Sequence, residues 1–307
     1  MRRYSLMHLL AGFGLGIATG LLLAWLGSPS GDASAATETA AAGDSAATPP
    51  FFNTAAGGAA PSGAATVLPS GETFESLRRQ ALADPAALRA LMQRLERSEA
   101  GEERNLLKSV LGSIHLPEVQ AFALRLAASS DPALRADGYE ILQTHGIADP
   151  GVRAQLQRAL SGESDPRALR LAIQALHYDA VPDGPAIVGG LQQLTRHADA
   201  GVRSSSLAQL SHWEKGPALE DWVHNGLADP AREVRQAAIS AALNGETRSE
   251  RLKTSLLQIA ANRQEATDTR DIALNALEHY KLEPEEYVVY AQAREEIGRP
   301  GEARPAQ

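Results

Sequence analysis

Apolar side chains recur at helical spacing through residues 72–297. Leu169, Ile173 and Leu176 form one such row and Val202, Leu207 and Leu210 another, each placing its members on one side of a helix. The rows open on a recurring signal: DPALRADGYEIL at 131–142, DPRALRLAIQAL at 165–176, DAGVRSSSLAQL at 199–210, DPAREVRQAAISAAL at 229–243 and TDTRDIALNAL at 267–277. Their arginines, Arg135, Arg170, Arg203, Arg235 and Arg270, lie 35, 33, 32 and 35 residues apart. A near-constant interval over five copies marks a repeat architecture. GEERNLLKSVL at 101–111 is a weaker earlier copy, with Arg104 31 residues before Arg135 and no Asp-Pro.

Each signal reads as a helix start. Asp accepts hydrogen bonds from the unpaired amides of a first turn, and Pro at the next position needs no N–H and already has helical φ. Between the copies lie second amphipathic stretches, Pro117–Ala128, Pro150–Leu160, Pro185–His197, Pro217–Ala228 and Ser249–Arg263, with Gly146, Gly162 and Gly245 as candidate breaks. Two helices per 32–35 residues, neither able to bury its apolar face alone, make a stacking unit. The pattern predicts an all-α fold. Counting from Pro85 gives six helix pairs, with Glu72–Leu82 capping one end, Pro284–Ile297 the other, and 298–307 as a flexible tail. Gly189-Gly190, inside the helix expected from Pro185, predicts close packing or a kink.

At the Asp-Pro-x-x-Arg positions the chain resembles the HEAT-repeat superfamily, in particular the short bacterial HEAT-like repeats of the kind found in bilin lyases. The likeness covers about 225 of the 307 residues. It implies a right-handed α-solenoid of about six pairs whose second helices line the concave face. It also implies a ladder of Asp and Arg side chains along the turns: Asp131/Arg135, Asp165/Arg170, Asp199/Arg203 and Asp229/Arg235. The first and third keep the family interval; Asp165/Arg170, Asp229/Arg235 and the last copy's Asp268/Arg270 depart from it. Tetratricopeptide repeats share the period, but their Trp-Leu-Gly signpost is missing from residues 72–297.

The N-terminal part has a different texture. Residues 1–8 carry Arg2 and Arg3, and residues 9–26, LLAGFGLGIATGLLLAWL, are uncharged. At 1.5 Å per residue this run is about 27 Å long, enough to span a bilayer. With Asp32, Glu38 and Asp44 beyond it and no basic residue until Arg78, the positive-inside bias puts the N-terminus in the cytoplasm and the repeats in the periplasm. A signal peptide cleaved near Ala35, in Ala33-Ser34-Ala35, is the rival expectation. Gly12, Gly16 and Gly20 share one helix face, which predicts packing, and a homodimer, through a membrane helix. Residues 28–71 hold 14 Ala, 6 Gly, 6 Ser, 5 Thr and 5 Pro, a composition that cannot build a core and predicts a disordered tether.

Composition narrows the chemistry. With no cysteine there is no disulfide, thiolate metal site or cysteine nucleophile. A net charge of −8 argues against nucleic acid as a partner. Arginine outnumbers lysine 25 to 4, which points with the alanine excess to a GC-rich bacterial gene and hence to a bacterial inner membrane.

No G-x-S-x-G, P-loop, H-E-x-x-H or G-x-G-x-x-G with strand patterning is present, so no enzymatic activity, metal or cofactor is expected. His145, His177, His212 and His279 fall at the ends of the expected second helices, three of them before an aromatic, as His177-Tyr178, His212-Trp213 and His279-Tyr280. They are read as a ridge that grips a protein partner, or as ordinary helix-end histidines with aromatics filling the gaps between repeats. The function expected is a membrane-anchored protein-interaction scaffold. The alternatives are a steric chaperone for a secreted protein and a bilin-lyase-like enzyme, the second implied by the resemblance alone.

Overall fold

The structure, a computed structural model, describes residues 71–245 and 248–298. The expected membrane run at 9–26 with Gly12, Gly16 and Gly20, the tether, the cleavage site near Ala35 and the tail beyond 298 lie outside the described residues. No helix among those described is long and apolar enough to cross a membrane.

The described chain is all α-helix: α1 (Phe74–Ala83), α2 (Pro85–Arg97), α3 (Glu102–Gly112), α4 (Pro117–Ala127), α5 (Pro132–Leu142), α6 (Pro150–Gly162), α7 (Pro166–Gln174), α8 (Gly184–Leu194), α9 (Ala200–Trp213), α10 (Pro217–Leu227), α11 (Arg232–Asn244), α12 (Glu250–Ala261), α13 (Thr267–Leu277) and α14 (Pro284–Gly298). The punctuation is chemical. Asp84, Asp131, Asp149, Asp165 and Asp199 each accept a first-turn amide, contacts worth about 1 kcal/mol apiece. Proline follows directly in all of these but the last. Thr73 and Ser76 form a reciprocal capping box on α1, and Gly146, with φ of 72°, turns the chain after α5.

Two helix starts differ from expectation. Asp229-Pro230 lies in the turn before α11, which begins at Arg232 with Ala231 as its cap; the Asp229 carboxylate bonds the Ala231 amide and Arg203 instead. Asp268 sits inside the first turn of α13 rather than ahead of it.

Each even helix from α2 to α12 packs on the odd helix that follows it, giving six pairs, and every odd helix packs on the next odd one from α1 to α13. The even helices form a second, looser row, α4–α6–α8 and α10–α12–α14. The core runs between the rows, from Leu88, Leu107 and Phe122 through Ile141, Ile173 and Leu210 to Leu256 and Leu274. Small residues set the closest approaches. A Cβ at Gly138 of α5 would collide with the backbone of α4, 2.7 Å from the Ala123 carbonyl oxygen and closer still to the Ala127 nitrogen. The Gly189-Gly190 pair has the same logic at the second position, where a Cβ would stand 2.9 Å from Leu160 of α6.

Candidate interaction surface

Two sets of polar side chains join successive repeats. The first is built on arginine. Arg135 at the start of α5 bonds the Ser129 and Ser130 carbonyls at 3.2 and 2.9 Å, and forks onto Glu163 with two 2.6 Å bonds. Arg203 does the same with the His197 and Ala198 carbonyls and Asp229. Arg235 repeats it with the Asp229 and Pro230 carbonyls and Glu265, and Arg270 bonds the Ala260 carbonyl and Glu296. Each side chain ties off carbonyls at the end of one turn while gripping a carboxylate one repeat later.

The ladder the resemblance implies is thus partly of different composition. Of the ladder arginines only Arg203 reaches the Asp of the next copy, Asp229; Asp268 is instead taken by Arg232, three residues before Arg235. Asp131 and Asp165 act as helix caps, Asp199 likewise, and Arg170 lies against Gly201. The carboxylates Glu163, Glu265 and Glu296 escape a search for Asp-Pro, although each follows its arginine by 26–30 residues and was discoverable as an acid one repeat on. Arg153 of α6 adds a similar fastener, with the Ile147 and Ala148 carbonyls at 2.8 and 2.7 Å and an ion pair to Asp183 at 3.0 Å.

Electrostatics follow the geometry. Burial alone would raise the Glu163 carboxyl, but the hydrogen bonds from Arg135 and the Asp165 amide outweigh it and hold it below its ordinary value. Asp229 is depressed in the same way, burial being overcome by Arg203 and the Ala231 amide. Glu296, bonded by Arg263 and Arg270, is held down at about 2. Sequence reasoning also missed a buried charge cluster between α3 and α5. There Lys108 and Asp137 are 4% and 3% exposed, and Lys108 reaches Glu140 at 2.7 Å while Arg104 reaches Asp137 at 2.7 Å.

The second set is the expected ridge at the ends of the odd helices. The His145 ring sits between the Ile141 carbonyl at 3.0 Å and the Ile114 carbonyl of the preceding repeat at 3.2 Å. His177 reaches the Gln143 carbonyl at 2.6 Å, and the Trp213 indole donates to the Leu176 carbonyl at 3.1 Å. These contacts satisfy carbonyls that a helix end leaves without an intrahelical donor. His212 is half-buried, its pKa lowered by burial and by the charges of Lys215 and His177. Tyr280 is also half-buried, with the Arg248 guanidinium 5.6 Å from its ring centre. Its hydroxyl is buried without a hydrogen bond among the described residues. His279 is exposed.

Tyr178 stands out from this seam. It is 62% exposed and packs edge-on against Trp213, with ring centres 5.4 Å apart. Trp213 in turn lies on Gly184 at the start of α8, where a Cβ would meet the indole at 3.5 Å. His177, Tyr178 and Trp213 therefore form one patch at the α7–α8 turn. Among the described residues no three His, Asp or Glu side chains gather as a metal site.

Fourteen described helices with neighbour-to-neighbour fasteners define a helical-repeat protein. The chain matches no family model and no curated protein. Among solved structures it is similar to the complex of CpcE and CpcF of phycocyanin lyase from Nostoc sp. PCC7120, at 16% identity and a TM-score of 0.36, over 73% of this chain and 88% of that one. One expectation is corrected here. The expectation of a non-enzymatic protein rested on a missing nucleophile or metal motif alone, which excludes no catalysis, and it is withdrawn.

Proposed function

We propose that the repeats form a HEAT-like protein-interaction module that receives a partner segment at the patch of His177, Tyr178 and Trp213. The observation that carries this reading is Tyr178: a large side chain left 62% exposed, yet held in place by an aromatic neighbour whose own N–H is fixed to the preceding repeat. A pre-positioned aromatic loses little freedom on binding, which is why such residues act as interface anchors. The uncharged run at 9–26 and the small-residue stretch after it support a module tethered at a membrane, which raises its effective concentration for partners there. His145, His212, His279 and Tyr280 belong to the same row of helix ends, where His145 stiffens the seam by bridging the Ile141 and Ile114 carbonyls.

The test is site-specific photo-crosslinking in the native cell, with the probe at Tyr178 in one chain and at Arg158, exposed on α6, in another. A discrete adduct at 178 that is absent at 158 and lost on Trp213→Ala is expected; equal adducts at both positions would remove the patch from consideration. A lyase-like activity is the second reading, carried by the HEAT-like resemblance of the Asp-Pro-x-x-Arg copies. It is tested by incubating the chain with a bilin and its acceptor protein and looking for a new visible absorbance band.

A further inference from the structure

We propose that the helical stack continues from one copy of this chain into the next, with α14 of one copy lying against α1 of another. Within the stack an even helix is always followed by its odd partner. The described chain begins with an odd helix, α1, which packs on α2 and α3, and finishes with an even one, α14, which packs on α12 and α13. Among the described residues α1 has no even helix on its outer side and α14 has no odd one. The two ends are complementary halves of one pair, and bringing them together makes a seventh.

The surfaces agree with that arrangement. An array of repeats stays soluble when its terminal helices turn a polar face outward. Here Leu82 on α1 is 48% exposed, and Tyr287, Val288 and Val289 on α14 are 59%, 64% and 38% exposed. Four of the five large apolar side chains exposed among the described residues are thus on the two end helices, which is where a missing neighbour leaves them. Charge favours this pairing over like with like. Exposed Arg79 precedes Leu82 by one turn, and exposed Glu285 precedes Val288 by one turn, so α1 offers a cation beside its apolar residue and α14 a carboxylate. Glu75, one turn further back on α1, and Asp84, just past its end, are the exceptions to that sign. The contact joins two different surfaces, so it propagates into a ring or a filament and does not stop at a symmetric dimer.

Because the chain has no cysteine, introduced thiols report the contact directly. The full chain in detergent micelles is oxidised as three variants, Leu82→Cys, Val288→Cys and the double variant, with Arg158→Cys mixed with Leu82→Cys as the collisional background. The double variant is expected to give a ladder of dimer, trimer and larger species. Mixing the two single variants should give dimer at least tenfold above the background mixture, and each single variant alone should stay near it. Association through residues 9–26 raises all mixtures equally and does not mimic that pattern. Efficient dimers from Leu82→Cys alone or from Val288→Cys alone would show like-to-like contact and overturn the proposal. So would a double variant that closes only on itself, or one that gives no disulfide above background. As a second readout, Val288→Asp should lower the weight-average mass of the unmodified full chain in sedimentation, and an unchanged mass would count against α14 as the contact.

Discussion

Replacing Arg135 with alanine isolates what one inter-repeat fastener contributes. The substitution removes both 2.6 Å bonds to Glu163 and the two bonds to the Ser129 and Ser130 carbonyls. The Glu163 side chain is 2% exposed, so it cannot regain its hydration and keeps the Asp165 amide at 2.9 Å as its main partner. Breaking a fully buried pair from one side costs about 3–5 kcal/mol. Arg135 is 18% exposed, so water relieves part of that, and the expected loss is about 2–3 kcal/mol. Arg135→Lys keeps the charge but not the planar fork and should lose about 1 kcal/mol. Arg125→Ala is the control: its pair with Glu96 is 63% and 37% exposed, in the class of surface pairs worth about 0–1 kcal/mol. Urea unfolding of the full chain followed by circular dichroism gives the ranking, and hydrogen exchange should show the loosening concentrated around α5, α6 and α7. If Arg135→Ala costs no more than Arg125→Ala, the fasteners do not hold the repeats together.

Gly138→Val should be among the most damaging single changes in the described chain, about 3 kcal/mol or more. The new side chain meets the α4 backbone, whereas Gly190→Ala meets only the movable Leu160 side chain; thermal melts of the two variants should separate clearly. Acid should loosen the stack. Glu163 and Asp229 are depressed and Glu296 is held at about 2, so the folded chain binds fewer protons at these sites than the unfolded chain. Their stabilisation is therefore whole above the ordinary carboxylate range near pH 4 and is lost as pH falls towards 2. Helicity monitored from pH 6 to pH 2 should fall through that window, and a profile as stable at pH 2.5 as at pH 6 would refute the assignment.

The helices were legible because their punctuation is local. An Asp that caps and a Pro that needs no donor announce α5 and α7 without reference to the rest of the chain, and the period of the arginines marks the repeat. What joins the repeats was legible only from one side. Arg135, Arg203 and Arg235 stand at a constant place in each copy, but their acceptors come from wherever the following turn brings a carboxylate, which is Glu163, Asp229 and Glu265. Asp229 reads as a cap in the sequence, yet the competing guanidinium of Arg203 takes it and the helix begins later. The helix-end histidines were visible as a row, whereas which of their ring nitrogens reach back to a preceding carbonyl depends on the stacking distance, which no local pattern contains. Exposure divides that row too: Tyr178 stands exposed beside Trp213, whereas Tyr280 is half-buried with the Arg248 guanidinium over its ring.

The bonds of Arg135, Arg203, Arg235 and Arg270 reach 26–30 residues along the chain, and none passes over an intervening unit. Nothing in this scheme measures the total length of the molecule, as the closure of a barrel or the pairing of distant termini would. Whole units can then be duplicated or excised in the course of descent while the remaining joints keep their geometry, and the reach of the protein becomes a quantity that selection can adjust in steps without rebuilding the fold.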